Sequence, residues 1–341
     1  MTQQEFASHD AGGRSVDQAL AELRSRIKKL DIPSLEADLG FSLSEAMSFY
    51  ERELAHRFPL SFANTPEFLL QLAEQLPLSE VGTFLLCAHG CDWRTTDYFF
   101  DEEYKARLKR EQEHGRLPLF DYLLFFVCPG WLATQERFRI FQSQTQPHVV
   151  DGASLASVPC GRMRDLLTLD FTHLRQAVRL VGIDKDQAAL DGAGDLAQKI
   201  LTADGRVKAE WRIGDALRPG MTKPAAVEEF DLVTSNGLNI YFTDEQCVKF
   251  YANVFAALKP GGVFVTSHLL PPAHYQWDRV NKNHLQLQAV VWKTLINPLW
   301  ESFLKPPQAV LEQVKRSGFV EIRMLPDAQG IFPTFVGHKP A

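Results

Sequence analysis

The chain has little cysteine, and its cysteines do not form a disulfide framework. Only five of the 341 residues are cysteine, and the set is odd in number and scattered. Because secreted frameworks usually carry an even number at regular spacings, we expect these thiols to be reduced. Cys87, His89 and Cys91 could offer soft metal ligands, but their spacing matches no common zinc pattern and no second pair follows. The sequence therefore predicts buried or half-buried thiols and no metal.

Long apolar runs and an excess of positive charge are also missing. No stretch is long and apolar enough to span a bilayer, and the polar residues 1–16 lack the apolar core of a signal peptide. We therefore expect a cytoplasmic protein without a membrane partner. Lys and Arg number 36 against 42 Asp and Glu, which gives a net charge of -6. That balance argues against a nucleic-acid-binding face.

The hydrophobic pattern changes near residue 147. From residue 15 to about residue 144, apolar residues such as Leu20, Leu23, Ile27 and Leu30 recur at spacings of three and four, which is typical of amphipathic helices. Beyond Pro147, short apolar runs alternate with helical stretches. We therefore predict a helical N-terminal domain over residues 1–145 and a second domain over residues 146–341. The predicted strands are 154–158, 179–183, 207–213, 231–234, 262–267, 320–325 and 333–338.

The order of these segments predicts the fold class. Strands separated by helices imply parallel crossovers in a doubly wound α/β sheet. Residues 326–330 leave no room for a helix between the last two strands, so these should pair antiparallel. We therefore expect a mostly parallel seven-stranded sheet that ends in a C-terminal antiparallel hairpin and follows an all-α domain. An insertion at about 269–307 predicts a helical cap, whose large aromatics line an acceptor pocket or pack the cap.

Four short motifs occur in a fixed order in the second domain. The first strand is followed by Cys160-Gly161, the second ends Gly-Ile-Asp184, the third ends Gly-Asp215-Ala, and residues 258–262 read Leu-Lys-Pro-Gly-Gly. Each motif is weak alone, but their order and spacing resemble the class I S-adenosylmethionine (SAM)-dependent methyltransferase family over about residues 147–341. The first motif is a variant, because the family pattern has an acid where Ser157 stands and glycines where Pro159, Gly161 and Met163 stand.

The resemblance implies a cofactor and the residues that hold it. The cofactor would be SAM and the product S-adenosylhomocysteine. Asp184 would accept hydrogen bonds from the ribose hydroxyls, Asp215 would bind the adenine amine, and Ser235 and Asn236 would contact the amino-acid end. Helix capping by Asp184 or by Asp186, a turn role for Asp215 and loop capping by the asparagines are the alternatives. The full set of predicted cofactor residues is Ser157, Pro159, Cys160, Gly161, Asp184, Lys185, Asp215, Ala216, Ser235 and Asn236.

Methyl transfer mainly requires alignment and exclusion of water. If the acceptor must lose a proton, a base is needed near the site. His268 is the first candidate, followed by Tyr241 and His274, although a histidine at a strand end is often structural. We expect transfer to O or N of a small, partly apolar molecule. The alternatives are a catalytically inactive scaffold of the same fold and, with weaker support, a nicotinamide dehydrogenase, which the missing Gly-x-Gly-x-x-Gly disfavours.

The helices before residue 145 carry no motif of the family. We expect these helices either to complete the acceptor pocket or to pair with a second copy of the chain. The second alternative would make the protein a homodimer.

Overall fold

The computed structural model describes residues 15–88, 92–202, 205–296 and 303–341. These residues form two compact units, one within Met1–Leu132 and Trp277–Leu299, the other within Ala133–Gln276 and Trp300–Ala341. In the described ranges, no helix is both long and apolar enough to cross a membrane.

The helices begin and end at ordinary capping signals. Ser15 and Gln18 form a capping box at the start of the first helix, and Gly40 ends the second in the left-handed conformation. The helices are α1 (Val16–Lys28), α2 (Ile32–Leu39), α3 (Leu43–Glu53), α4 (Thr65–Gln75), α5 (Glu80–Ala88), α6 (Trp93–Phe100), α7 (Glu102–Glu113), α8 (Leu119–Tyr122), α9 (Pro129–Thr145), α10 (Arg164–Leu167), α11 (Gln187–Ile200), α12 (Asp244–Ala257), α13 (Lys282–Val291) and α14 (Pro307–Arg316).

The second unit contains one seven-stranded sheet, in the order β3-β2-β1-β4-β5-β7-β6. Strands β1 to β5 pair in parallel, whereas β7 is antiparallel to both β5 and β6. The predicted fold class is therefore confirmed. The strands are β1 (Ser154–Ser157), β2 (Val178–Asp184), β3 (Val207–Ile213), β4 (Phe230–Ser235), β5 (Leu258–Ser267), β6 (Val320–Leu325) and β7 (Thr334–His338).

The central strands β1, β2 and β4 are buried on both faces of the sheet. Successive strand residues point to opposite sides. Leu155 packs in the core cluster that includes residues of α11, and the next residue, Ala156, packs in the cluster that includes residues of α12. This two-sided burial explains why the central strands form continuous apolar runs instead of alternating patterns.

Residues 277–299 belong to the first unit, so the insertion predicted at about 269–307 is divided between the two units. Of its aromatics, Tyr275 and Trp292 are buried and Trp277 is about half exposed, while Trp300 lies outside the described residues. The boundary predicted at residue 145 stays a prediction.

The strand register brings three carboxyl ends together. Ser157, the last residue of β1, lies beside Gly182 of β2 and Thr234 of β4. In doubly wound sheets, ligands bind outside this edge, where the strand order reverses.

Candidate cofactor site

A hydrogen bond links the loop after β1 to the end of β2. The backbone N–H of Gly161 donates to Oδ2 of Asp184 over 3.0 Å, and the N–H of Asp186 donates to Oδ1 over 3.0 Å. The Asp184 side chain is thus fixed at the carboxyl edge of the sheet. A carboxylate offers about four acceptor positions, so positions remain for the hydroxyls of a ribose. Burial raises the pKa of Asp184, and the two N–H donors oppose that rise.

Met163 adopts the conformation that the family pattern assigns to glycine. Its φ is 57°, in the left-handed region that bulky residues rarely occupy. Its side chain is almost fully buried in the core cluster that contains Leu155. The loop therefore turns as a glycine loop would, with the strain of Met163 offset by the burial of its side chain.

The other loop residues are held by the neighbouring strand. The N–H of Cys160 donates to the carbonyl of Ile183 over 2.9 Å, and burial raises the pKa of the Cys160 thiol, which favours its neutral form. Pro159 follows a cis peptide bond, and Gly161 has a φ of 49°. Ser157 is buried beneath this loop.

The predicted adenine-edge residues lie in a turn after β3. Oδ1 of Asp215 accepts from the N–H of Leu217 over 2.9 Å, and Oδ2 lies 3.8 Å from Nε of Arg218. The carbonyl of Ala216 accepts from Nδ2 of Asn253 over 2.8 Å. These contacts match the turn role considered as the alternative for Asp215. Lys185, directly after β2, is exposed.

The exit of β4 carries polar atoms without partners. Ser235 is fully buried, and within the described part of the chain neither its Oγ nor Oδ1 of Asn236 has a hydrogen-bond partner. Leaving a buried polar group unpaired costs about 1–3 kcal/mol. A polar ligand group at this strand end would satisfy them.

Arg137 of α9 lies beside the exit of β4, and the sequence alone did not single it out. Its side chain is buried, Nη1 donates to Oγ of Ser267 over 3.2 Å, and Cζ lies 3.8 Å from the ring centroid of Phe332. A methyl group on Gly237, which follows Asn236, would lie only 2.9 Å from Nη1. The guanidinium therefore sits against the exit of β4. No motif surrounds Arg137, so only the packing of α9 identifies it.

Arg137 stays charged despite its burial. Desolvation lowers its pKa to about 9, while Asp327 and Tyr241 act in the opposite direction. A buried cation at this position can hold a carboxylate, because hydrogen bonds between ions are stronger than neutral ones.

The three candidate bases differ in their surroundings. His268 is fully buried, and its Nε2 accepts from the N–H of Lys305 over 3.0 Å. Burial, with a smaller effect of Lys305, lowers the pKa of His268 to about 3. Its imidazole is therefore neutral near pH 7 and a weak base. Tyr241 is 36% exposed and lies near enough to Arg137 for their charges to interact. His274 is exposed.

The described residues hold no group of three or more His, Cys, Asp or Glu side chains suited to a metal ion. Cys87 is buried, whereas His89 and Cys91 lie outside the described residues.

Comparison with known proteins gives a domain family for part of the chain and a relative that matches over its full length. Residues 158–262 match the family model of the methyltransferase domain. The crystal structure of a possible exported protein from Bordetella parapertussis is 30% identical, and the match covers 98% of this chain and 100% of that chain with a TM-score of 0.75. A search of curated proteins found no match.

Two more distant structures were solved with S-adenosylhomocysteine. The magnesium protoporphyrin IX methyltransferase of Synechocystis PCC 6803 is 12% identical, with 72% of this chain and 97% of that chain covered and a TM-score of 0.44. The N-methyltransferase NodS of Bradyrhizobium japonicum is 16% identical, with 61% and 88% covered and a TM-score of 0.41. At these scores the two structures add no support.

The matched segment contains the β1 loop, Asp184, the turn after β3 and the exit of β4. The sheet order and the antiparallel β7 agree with it. The chain belongs to the class I SAM-dependent methyltransferase family.

Proposed function

We propose that this protein transfers a methyl group from SAM to an oxygen or nitrogen of a small, partly apolar molecule. The observation that carries the proposal is the bond between Gly161 and Asp184, which fixes an acidic side chain beside the β1 loop at the edge where doubly wound sheets bind ligands. The match of residues 158–262 to a methyltransferase domain supports the same reaction class.

The residues present suit each part of the cofactor. Asp184 would accept from the ribose hydroxyls, and Asp215 would lie at the adenine edge. Ser235 and Asn236, whose side-chain oxygens lack partners in the described structure, would bind the amino-acid end. Arg137 beside Gly237 would hold its carboxylate.

When bound, SAM supplies a methyl group activated by its sulfonium. The chain's own residues would then align the acceptor and exclude water. Tyr241 is our candidate for removing the acceptor proton, since it is accessible and lies near a buried cation. We assign His268 a different role, that of a neutral hydrogen-bonding group, because its Nε2 is already occupied and its pKa is low.

The acceptor class, the compartment and the assembly state are separate predictions. The negative net charge supports a small-molecule acceptor over a nucleic acid. A cytoplasmic location and a homodimer stay predictions, and cell fractionation is needed because the Bordetella relative is described as a possible exported protein.

The test is calorimetric titration of the purified full chain with SAM and with S-adenosylhomocysteine. We expect micromolar binding of both, followed by release of S-adenosylhomocysteine when phenols, acids and amines are supplied as acceptors. Absence of binding would reject the proposal. Binding without turnover on any acceptor would favour the alternative, a catalytically inactive scaffold of the same fold.

A further inference from the structure

His268 carries a buried ring nitrogen that lacks a hydrogen-bond partner. The residue directly follows β5 and is fully buried. Its Nε2 accepts from the backbone N–H of Lys305 over 3.0 Å, whereas its Nδ1 has no partner among the residues that the structure describes. Leaving a buried polar group unpaired destabilises a protein. A polar group of a bound ligand would satisfy Nδ1.

The contact with Lys305 determines which ring nitrogen of His268 carries the proton. A neutral imidazole has one N–H donor and one acceptor nitrogen. Because Nε2 accepts from an N–H group, the proton of the neutral ring lies on Nδ1. Burial keeps the ring neutral, since it lowers the pKa of His268 to about 3. Nδ1–H is therefore a fixed donor, and its partner must offer a lone pair.

This donor lies at the edge of the sheet where the proposed function places SAM. The N–H of His268 donates to the carbonyl of Pro333 over 3.2 Å, so the extended pairing of β5 with β7 continues to this residue. His268 and Thr266 therefore project from the same face, and Thr266 lies beside Ser235 at the end of β4. Oγ1 of Thr266 and Oγ of Ser235 also lack partners in the described structure. Unpaired polar groups thus continue from the exit of β4 to the residue after β5.

The chemistry of methyl transfer restricts which atom can meet this donor. An amine nitrogen has one lone pair, so a hydrogen bond from Nδ1–H would occupy the electrons that must attack the methyl group. A carboxylate or phenolate oxygen has further lone pairs, and it can accept from Nδ1–H and attack at the same time. We propose that Nδ1–H of His268 holds the reacting oxygen of the methyl acceptor, and that the acceptors are carboxylic acids or phenols. This inference rests on the proposed function and narrows its substrate class.

The transfer to oxygen needs no proton movement on His268. One lone pair of the oxygen forms the bond to the methyl carbon, the carbon–sulfur bond breaks, and its electron pair stays on the sulfur of S-adenosylhomocysteine. A carboxylic acid has lost its proton to water before it binds. A phenol would pass its proton to ionised Tyr241, the candidate base. His268 keeps its Nδ1 proton throughout.

The charge beside His268 also favours an anionic oxygen over an ammonium group. The Lys305 side chain is 8% exposed, and its Nζ donates to the carbonyls of Phe242 and Phe303 over 2.6 Å and 2.8 Å. Nζ lies 3.9 Å from Oδ1 of Asp244, whose side chain is exposed to solvent. The charge of the Lys305 ammonium acts on His268. An amine that arrives as a cation would therefore be repelled at this position.

The first measurement is independent of turnover. Two-dimensional NMR of ¹⁵N-labelled imidazoles in the full chain distinguishes the two neutral tautomers of histidine, with His268→Asn to assign the signal. We expect the proton of His268 on Nδ1. A proton on Nε2 would remove the donor and overturn the inference, whichever acceptors the protein methylates.

The second measurement compares two substitutions that separate the ring nitrogens. Asn places its amide about where Nδ1 lies and can still donate there, whereas Gln places its amide about where Nε2 lies and leaves no donor at Nδ1. The wild type and both variants are supplied with SAM and with benzoic acid, phenol or benzylamine, which share a phenyl ring. Further acceptors found in the screen above are added to this set. His338→Gln, at the other end of β7, controls for a histidine lost elsewhere.

We expect the methyl group on oxygen acceptors only. For these acceptors, kcat/KM should fall about 10- to 100-fold in His268→Gln, while His268→Asn recovers most of that loss and His338→Gln causes none. The affinity for S-adenosylhomocysteine, measured by calorimetry, should stay within about threefold of the wild type in every variant. This split separates a contact with the acceptor from a general loss of structure.

Three results would overturn the inference while SAM binding persists. They are methylation of an amine nitrogen, equal rates in His268→Gln and the wild type, and binding of S-adenosylhomocysteine without turnover of any acceptor. A parallel loss of S-adenosylhomocysteine affinity and rate in both His268 variants would show a purely structural histidine and would also overturn it. Failure of the wild type to bind S-adenosylhomocysteine would instead reject the proposed function itself.

Discussion

The backbone N–H of Gly161 and the carboxylate of Asp184 meet at 3.0 Å, although 23 residues separate them in the sequence. The contact joins the loop after β1 to the end of β2, and it gives Asp184 one fixed orientation. Preorganised acceptors lower the cost of ordering a site when a ligand binds. This relationship leads to the first prediction.

Asp184→Asn should weaken binding of S-adenosylhomocysteine roughly 10- to 100-fold, because one acceptor oxygen becomes a donor that faces an N–H or a ribose hydroxyl. Isothermal titration calorimetry measures the change. Asp195→Asn removes the same charge from an exposed position and should bind as the wild type does. Equal affinity of the two variants would place the ribose away from Asp184.

Gly237→Ala should disturb the site through Arg137. Gly237 has a φ of 84°, and an added Cβ would lie 2.9 Å from Nη1 of Arg137. We expect the free energy of unfolding to fall by about 1 kcal/mol from the left-handed backbone alone, and S-adenosylhomocysteine affinity to fall severalfold as the guanidinium shifts. Chemical denaturation and calorimetry measure the two effects.

Gly261→Ala is the matched control for that variant. Gly261 has a similar φ of 76°, but nothing lies within 4 Å of an added Cβ. Gly261→Ala should lose about as much stability as Gly237→Ala and should bind S-adenosylhomocysteine with the wild-type affinity. A comparable loss of affinity in both variants would mean that backbone strain, not Arg137, weakens binding.

The features that could be predicted from the sequence are those that depend on the local residue pattern and on the order of the motifs. The alternation of strands and helices fixed the parallel crossovers, and the short segment before β7 predicted the antiparallel pair. The motif spacing brought Gly161 and Asp184 to the same edge. These features depend on neighbours in the chain or on the regular geometry of a doubly wound sheet.

Contacts between distant side chains were not predictable. Arg137 reaches Ser267 across 130 residues, and an arginine on a helix is usually solvent-exposed. Nε2 of the buried His268 accepts a hydrogen bond from the backbone N–H of Lys305, which lies 37 residues later. Met163 contradicts the ordinary preference for glycine at positive φ because tertiary burial of its side chain overrides local propensity.

His268 should remain neutral from pH 8 down to pH 5. Its pKa is lowered to about 3, first by burial and then by Lys305. Two-dimensional NMR of ¹⁵N-labelled imidazoles, with His268→Asn to assign the signal, should show no titration of His268 in that range. Unfolded protein should titrate near pH 6.5. A His268 midpoint between pH 5 and 8 would contradict the neutral role and restore it as a base.

The pH dependence of the free energy of unfolding provides a second measurement of the protonation of His268. Because the folded pKa of His268 is depressed, its contribution to stability is present above about pH 6.5 and is lost as the pH falls towards about 3. The wild type should therefore lose more stability than His268→Asn on acidification, as measured by denaturation at each pH.

Asp121 should make the stability of the helical unit fall as the pH rises from about 4 to 6. Burial raises its pKa to about 6, while hydrogen bonds from Ser79 and Tyr104 oppose the rise. Since the unfolded pKa is about 3.9, the folded state holds the proton longer, and the linkage amounts to roughly 3 kcal/mol. Asp121→Asn still accepts from both hydroxyls but cannot titrate. The unfolding free energy of the wild type minus that of Asp121→Asn should decrease across this range and stay constant above it. A difference that does not vary with pH would mean that folding does not raise the pKa of Asp121.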